Sequence, residues 1–192
     1  MMKKAAIGFG VLTVLVMLGA TRGIDLGVTQ TIQAIIPRSW DTALSVLSLA
    51  GSVEITTVLV VAAAWVLRKN WKFVAVVLVI YAAGMSAELV GKIVLDHPNP
   101  PERFFRYQLP FVLPSSGVQT GNSYPSGHSF RTVFLVVLAW QLAKSRNQKA
   151  ALATYTAFML VSRVSLGEHW TSDVIGGAML GVSLGMWPVT RK

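Results

Sequence analysis

Cysteine is absent from this sequence of 192 residues, and acidic residues are few. Without cysteine, neither a disulfide framework nor a cysteine-ligated metal site can form. The eight acidic residues are scattered, and no group of them has the spacing of a divalent metal site. We therefore expect no bound metal and no other cofactor.

Charged residues of both signs are scarce, and this indicates the class of protein. They make up only 13% of the chain, against about a quarter in ordinary globular proteins, while 53% of the residues are hydrophobic. This composition is typical of a membrane protein, and the length fits a single domain over residues 1–192. The net charge of +9 does not predict nucleic-acid binding, because the basic residues occur in short groups between apolar runs.

Six apolar runs are long enough, or nearly so, to cross a bilayer as helices. Charged residues bound each run, and several runs stop short of the usual length at such a residue. The sequence therefore predicts an all-α membrane protein with six transmembrane helices. The predicted spans are residues 5–21, 52–67, 71–95, 130–143, 150–162 and 174–189.

The first span has a competing interpretation as a signal peptide, because it follows two lysines. Cleavage after Ala20 would place the bulky Leu18 where a small residue is needed, so we favour an uncleaved span. Residues 24–49 mix apolar and polar side chains around Pro37 and Trp40. They are predicted to form a partly helical, interfacial segment between the first and second spans.

The basic residues predict the orientation in the membrane. With both termini in the cytoplasm, ten of the 17 basic residues and none of the eight acidic ones lie on the cytoplasmic side, as the positive-inside rule favours. We therefore expect a multi-pass protein of the plasma (inner) membrane, with its polar motifs on the periplasmic or extracellular side. The ten residues are Lys3, Lys4, Arg68, Lys69, Lys72, Lys144, Arg146, Lys149, Arg191 and Lys192.

All three histidines, among them His97, lie in or beside polar, Gly-marked or Pro-marked segments. His169 and Asp173 are four residues apart, so on a helix they share a face, and the carboxylate can hold one imidazole nitrogen and leave the other nucleophilic. Arg163 offers a planar fork of donors to phosphate oxygens. The turn that ends at His128 can present backbone N–H groups at a helix start, where anions bind. Two histidines around an anion site predict phosphoryl transfer.

The long connection over residues 97–124 is rich in proline, which argues against a regular helix through it. It also carries the aromatic residues Phe104, Phe105, Tyr107 and Phe111. Such a segment is either an ordinary aromatic belt at the membrane interface or a cover over a lipid site.

Taken together, three motifs resemble those of the type-2 phosphatidic acid phosphatase superfamily over about residues 52–189. They are Lys92 with Asn99-Pro100, then Pro125-Ser126-Gly127-His128, then Ser162-Arg163 with His169 and Asp173. The resemblance implies a six-span phosphatase acting on a lipid phosphate, without metal. It further implies that His169 attacks phosphorus to form a phosphohistidine, that Asp173 holds the His169 ring, and that His128 protonates the leaving oxygen and later activates water. The phosphate-binding residues it implies are Lys92, Ser126, Gly127 and Arg163.

One position departs from the family pattern, which has arginine where this chain has Asn99. Asparagine supplies no charge, and charge-assisted hydrogen bonds are roughly twice as strong as neutral ones. Arg131, three residues after His128 and on nearly the same helix face, is our candidate replacement. Arg103, four residues after Asn99, is the alternative. Arg131 could instead be a snorkelling residue at the end of a span.

The leading hypothesis is therefore an integral membrane lipid phosphatase whose substrate is phosphatidate, phosphatidylglycerophosphate, undecaprenyl diphosphate or lipid A. Asn99 motivates a second hypothesis, a lipid-phosphate-binding protein that has lost catalysis. A transporter is less favoured, because its polar residues should lie near mid-span. The related soluble haloperoxidases are disfavoured by the six apolar runs. The sequence does not predict an oligomeric state.

Overall fold

The computed structural model describes residues 1–111, 113–114 and 120–190. Within these ranges the chain forms eight α-helices, two short 3-10 helices at Arg38–Trp40 and Glu102–Phe104, and no strand beyond one isolated bridge between Pro98 and Asn122. The all-helical prediction is confirmed. The α-helices are α1 (Met2–Met17), α2 (Arg22–Ile35), α3 (Asp41–Leu49), α4 (Val53–Arg68), α5 (Trp71–Val94), α6 (Gly127–Leu142), α7 (Arg146–Ser165) and α8 (Thr171–Thr190).

Polar caps in the sequence start four of these helices. Ser52, Asn70, Ser126 and Ser145 each accept a backbone N–H bond from the first turn of α4, α5, α6 and α7, which satisfies donors that a helix start otherwise leaves free. Helices α4 to α8 alternate in direction. The C-terminal ends of α5 and α7 therefore lie beside the N-terminal ends of α4, α6 and α8 at one end of the bundle.

Close packing of α8 against α6 fixes this meeting point. A Cβ on Gly177 would lie 2.2 Å from the Ser126 carbonyl oxygen, and one on Gly181 would lie 2.7 Å from that of Phe130. Small residues spaced four apart thus let the two backbones approach, as they do between membrane helices. Phe130 and Phe134 then pack against Tyr81 of α5 in the main apolar core.

The six predicted spans fall on α1 and on α4 to α8. Of the helices in the described ranges, only α5 is by itself long and apolar enough to cross a membrane. Two bent pairs pass the same test when each is taken as one span, α1 with α2 at 101° and the Arg38–Leu49 segment with α4 at 52°. Helices α1, α4 and α6 have 16 residues each, fewer than the ~20 that usually span a bilayer. The six-span count therefore stays a prediction.

Two other predictions can be compared with the fold. The segment 24–49 is helical in part, as predicted, and covers α3 and all but the first two residues of α2; its interfacial position stays a prediction. The described part of the connection 97–124 holds one 3-10 turn and no α-helix, in agreement with its prolines. Residues 112 and 115–119 of this connection lie outside the described residues, as do Arg191 and Lys192 of the predicted cytoplasmic group.

Candidate active site

A cavity of about 670 Å³ opens where these helix ends meet. Six of the predicted site residues line it, whereas Asp173, Ser126 and Gly127 lie behind its wall. Apolar side chains also line the cavity, among them Val53, Met85, Leu89 and Phe105. The six are Lys92, Asn99, His128, Arg131, Arg163 and His169.

His169 lies in the turn between α7 and α8, and Asp173 lies in the first turn of α8. The prediction that they meet holds, since His169 Nδ1 is 3.3 Å from Asp173 Oδ2. The two residues do not lie on one helix, the arrangement considered above for their spacing, because the chain turns at Gly167, whose φ is +67°, and α8 begins only at Thr171. The Trp170 N–H donates to the same carboxylate oxygen at 2.9 Å and keeps the carboxylate beside the turn.

The surroundings of His169 favour a neutral ring with a free lone pair on one nitrogen. Burial lowers the pKa of His169 below the ordinary histidine value, and the hydrogen bond and negative charge of Asp173 offset this only in part. With a carboxylate oxygen at Nδ1, that nitrogen carries the ring proton. The lone pair is then on Nε2, and the ring lines the cavity.

His128 is the second residue of α6 and is buried. The turn between α3 and α4 packs on its ring, because a Cβ on Gly51 would lie 2.8 Å from His128 Cδ2. Arg131 Nη2 lies 3.5 Å from His128 Nδ1. Since a guanidinium only donates, Nδ1 is the acceptor, and the proton of the neutral ring is on Nε2. His128 can therefore offer an Nε2–H to an oxygen in the cavity.

Two of the cavity's cations share one carboxylate. Glu88 Oε1 accepts from Lys92 Nζ at 2.9 Å, and Glu88 Oε2 accepts from Arg131 Nη1 at 3.0 Å. Arg131 Nε also donates to the Gly51 carbonyl at 2.9 Å. The Glu88 carboxylate rests against Gly127, where a Cβ would lie 2.0 Å from Oε1. Lys92, Arg131 and the start of α6 thus lie around the Glu88 carboxylate, and a helix start of this kind favours an anion.

The third cation, Arg163, is buried near the end of α7. Its Nη1 lies 2.5 Å from Glu168 Oε2 and also bonds Ser48 Oγ of α3. The Ser126 N–H donates to the backbone carbonyl of Asp173 at 3.0 Å, and its Oγ caps α6. Ser126 therefore joins α6 to α8, and its own N–H is already engaged.

The sequence model of the PAP2 superfamily matches residues 73–190 of this chain, which include all of the residues named as phosphate-binding or catalytic. The chain belongs to the PAP2 superfamily. The resemblance to the type-2 phosphatidic acid phosphatases is thereby confirmed.

Individual PAP2 relatives match shorter stretches. A lipid A 1-phosphatase of Porphyromonas gingivalis is 40% identical over 72 residues, which are 34% of this chain and 16% of that protein. A lipid A 1-phosphatase of Rhizobium johnstonii is 36% identical over 81 residues, or 42% of this chain and 32% of that protein. The matches thus span at most about a third of the length of these relatives.

The fold of this PAP2 chain is also found in a solved structure. The crystal structure of a transmembrane PAP2-type phosphatidylglycerolphosphate phosphatase from Bacillus subtilis superposes with a TM-score of 0.75, over 97% of this chain and 92% of that one. The sequences are 21% identical, so this likeness shows the fold alone.

The structure separates the two candidates for the PAP2 arginine that this chain lacks. Asn99 is exposed, lines the cavity and donates from Nδ2 to the Thr120 carbonyl at 2.7 Å. Arg131 lines the same cavity. Arg103 is exposed outside it, with its guanidinium carbon 5.0 Å from the centre of the Phe104 ring. Position therefore favours Arg131.

Four residues at the site were not predicted from the sequence: Glu88, Glu168, Asp25 and His97. Glu88 is four residues before Lys92, a spacing that favours an ion pair on a helix and could have indicated the contact. Glu168 directly precedes His169 in the turn. Asp25 has no such signal, because its contacts are with Ser172 and His97, both far away in the sequence.

Proposed function

We propose that this protein is an integral membrane phosphatase that removes the phosphate or diphosphate head of a lipid through a phosphohistidine at His169. The observation that carries the proposal is the Asp173-held imidazole at the wall of a cavity lined by Lys92, Arg131 and Arg163. Phosphoryl transfer depends mainly on positioning and on positive charge around the phosphoryl oxygens. This arrangement supplies both.

The steps follow from the positions of the two histidine rings at the cavity. His169 Nε2 attacks phosphorus, and the bond from phosphorus to the lipid oxygen breaks. His128 enters this step as the imidazolium, gives the proton on Nε2 to that oxygen and is left as the neutral ring. His128 then takes a proton from water, whose oxygen attacks the phosphohistidine and releases phosphate. Lys92, Arg131 and Arg163 would hold the phosphoryl oxygens in both steps.

A panel of lipid phosphates tests the activity and identifies the substrate. Purified protein in detergent should release phosphate from at least one of phosphatidate, phosphatidylglycerophosphate, undecaprenyl diphosphate and lipid A. The curated relatives make lipid A a priority in this panel. His169→Ala should abolish release, and an exposed-surface variant, Asn147→Ala, should not. Release by His169→Ala equal to that by the natural protein would refute the mechanism.

The two histidines should also be separable. An activated aryl phosphate has a leaving group that needs no proton, so His128→Ala should still form phosphohistidine from it, whereas His169→Ala should not. Equal loss in both variants would contradict the assigned roles. Because no step involves a metal, phosphate release should survive a strong chelator. Loss that added magnesium restores would rule out this metal-independent scheme.

A further inference from the structure

The third histidine, His97, is buried behind the site and has no part in the mechanism above. Its side chain is 2% exposed, although it lies in a loop after α5. The backbone of His97 is fixed by its own N–H, which donates to Asn122 Oδ1 at 3.1 Å, and by its carbonyl, which accepts from the Ser123 N–H at 2.9 Å. The ring therefore has a defined position next to α8.

Three oxygen atoms surround His97 Nε2. Asp173 Oδ1 lies at 3.3 Å, Ser172 Oγ at 3.2 Å and Asp25 Oδ2 at 3.8 Å. The Ser172 hydroxyl proton already goes to Asp25 Oδ2, at 2.8 Å, so Ser172 Oγ faces Nε2 as an acceptor. With acceptors on every side, Nε2 must carry the proton, and His97 donates toward the catalytic carboxylate.

The two oxygens of Asp173 thus have different partners. Oδ2 faces His169 Nδ1 and accepts the Trp170 N–H, whereas Oδ1 faces His97. Rotation of the carboxylate about its last bond would carry Oδ1 away from His97 Nε2, which lies 3.3 Å from it. The second contact therefore keeps Oδ2 aligned with His169, in the way that outer hydrogen bonds orient functional side chains elsewhere.

Asp25 of α2 completes this arrangement from outside the family match. It is buried and accepts both the backbone N–H and the hydroxyl of Ser172, each at 2.8 Å. A buried carboxylate needs partners of this kind. Asp25 holds Ser172 on one side and faces His97 on the other, so it sets the place of the His97 ring relative to α8.

We propose that His97, supported by Asp25, is a positioning residue that fixes the catalytic carboxylate of Asp173 and, through it, the His169 ring. This rests on the proposed function, in which His169 is the nucleophile. His97 does not touch the phosphate. Its loss should therefore slow the chemical step and leave phosphate binding by the three cations nearly unchanged.

Kinetics of paired variants test the inference. His97→Leu removes the donor and should lower kcat about 10- to 100-fold, the usual effect of losing such an outer contact, with KM and inhibition by vanadate little changed. His97→Gln can place an amide N–H near the position of Nε2 and should recover most of kcat. Equal kcat loss in both variants, or natural kcat in His97→Leu, would overturn the proposal.

Two variants that each replace an aspartate by asparagine test the role of Asp25. Asp25→Asn should lower kcat in the same direction as His97→Leu, because the ring loses its second carboxylate. Asp96→Asn is the control, since Asp96 adjoins His97 in the sequence but is exposed and pairs with Arg22 at 3.7 Å. It should have natural kcat, and a loss equal to that of Asp25→Asn would refute the role of Asp25.

A spectroscopic readout keeps this inference separate from the proposed function. The chain has three histidines, so an NMR spectrum of ¹⁵N-histidine-labelled protein in detergent is simple enough to assign by substitution. The Nδ1–H signal of His169 should shift in His97→Leu and return toward its natural position in His97→Gln. An unchanged signal in a folded His97→Leu would refute the inference, whether or not any lipid is hydrolysed.

Discussion

Replacing Arg131 by alanine tests whether this arginine supplies the charge that Asn99 lacks. Lys92, Arg131 and Glu88 together carry a net charge of one positive unit beside the start of α6, and the substitution reduces it to zero. Losing one preorganised group that stabilises the transferring phosphoryl should lower kcat/KM roughly a hundredfold, about 3 kcal/mol by the usual conversion. Glu88 keeps Lys92 as a partner, so the variant should still fold.

Asn99→Arg provides the rescue. Asn99 lines the same cavity and is exposed, so a longer side chain has room there. In the Arg131→Ala background it restores the positive unit and should recover part of the lost kcat/KM. Alone, it adds a cation beside Arg131 and should leave activity level or lower it. Arg103→Ala is the matched control, because it removes an arginine outside the cavity, and its kinetics should be natural.

Phosphate release is measured with one lipid substrate at a time. Thermal unfolding in detergent shows whether each variant is folded. An Arg131→Ala protein with natural kinetics and natural unfolding would show that another cation holds the phosphate. Loss of kcat/KM in Arg103→Ala, with Arg131→Ala unaffected, would transfer the role to Arg103. Additive effects of Arg131→Ala and Asn99→Arg, without rescue, would show that the two positions do not face the same oxygens.

Three further outcomes are expected. Glu88→Gln should strengthen inhibition by inorganic phosphate about tenfold, or 1.4 kcal/mol, because it removes a competing anion; weaker inhibition would show that Glu88 serves to align the cations. The imidazole of His169 should titrate below about 6.5 by ¹⁵N NMR, since burial lowers its pKa, and a value above that would contradict the desolvated site. A thiol reagent that cannot cross the membrane is added to intact cells, or to spheroplasts where an outer membrane is present. It should label the Arg103→Cys variant and not the Asn147→Cys variant. The reverse pattern would overturn the predicted orientation.

The reactive groups could be predicted from the sequence because each belongs to a short local pattern. Ser126 caps a helix that starts at Gly127 and presents His128 in its first turn, and the four-residue spacing brings His169 to Asp173 even though a turn replaces the expected helix. Arg131 could be placed near His128 by the helical repeat alone. These relations extend over one turn of chain and depend little on the rest of the fold.

The partners of these groups could not be predicted in the same way. Ser172 and Asp25 lie 147 residues apart, and Arg163 and Ser48 lie 115 apart. Such contacts form because α2 bends by 101° from α1 and packs against α7 and α8, while α3 packs against α7. In the sequence, residues 24–49 show a mixture of apolar and polar side chains that fits an interfacial segment equally well. Burial of Asp25 and Asp41 within this segment is a property of the packed fold.

These contacts show that the two parts of the chain contribute different groups to the site. Every group that would touch the phosphate lies within residues 73–190, the range of the family match, yet several of the groups that hold them in place come from the first 72 residues. Ser48 bonds Arg163, the Gly51 carbonyl accepts from Arg131, and Asp25 faces His97 and holds Ser172. Relatives that share the matched range can therefore share the chemistry while the preceding helices set how rigidly each side chain is held. On this reasoning we expect Asp25 and Ser48 to affect the rate of the proposed reaction without taking part in it.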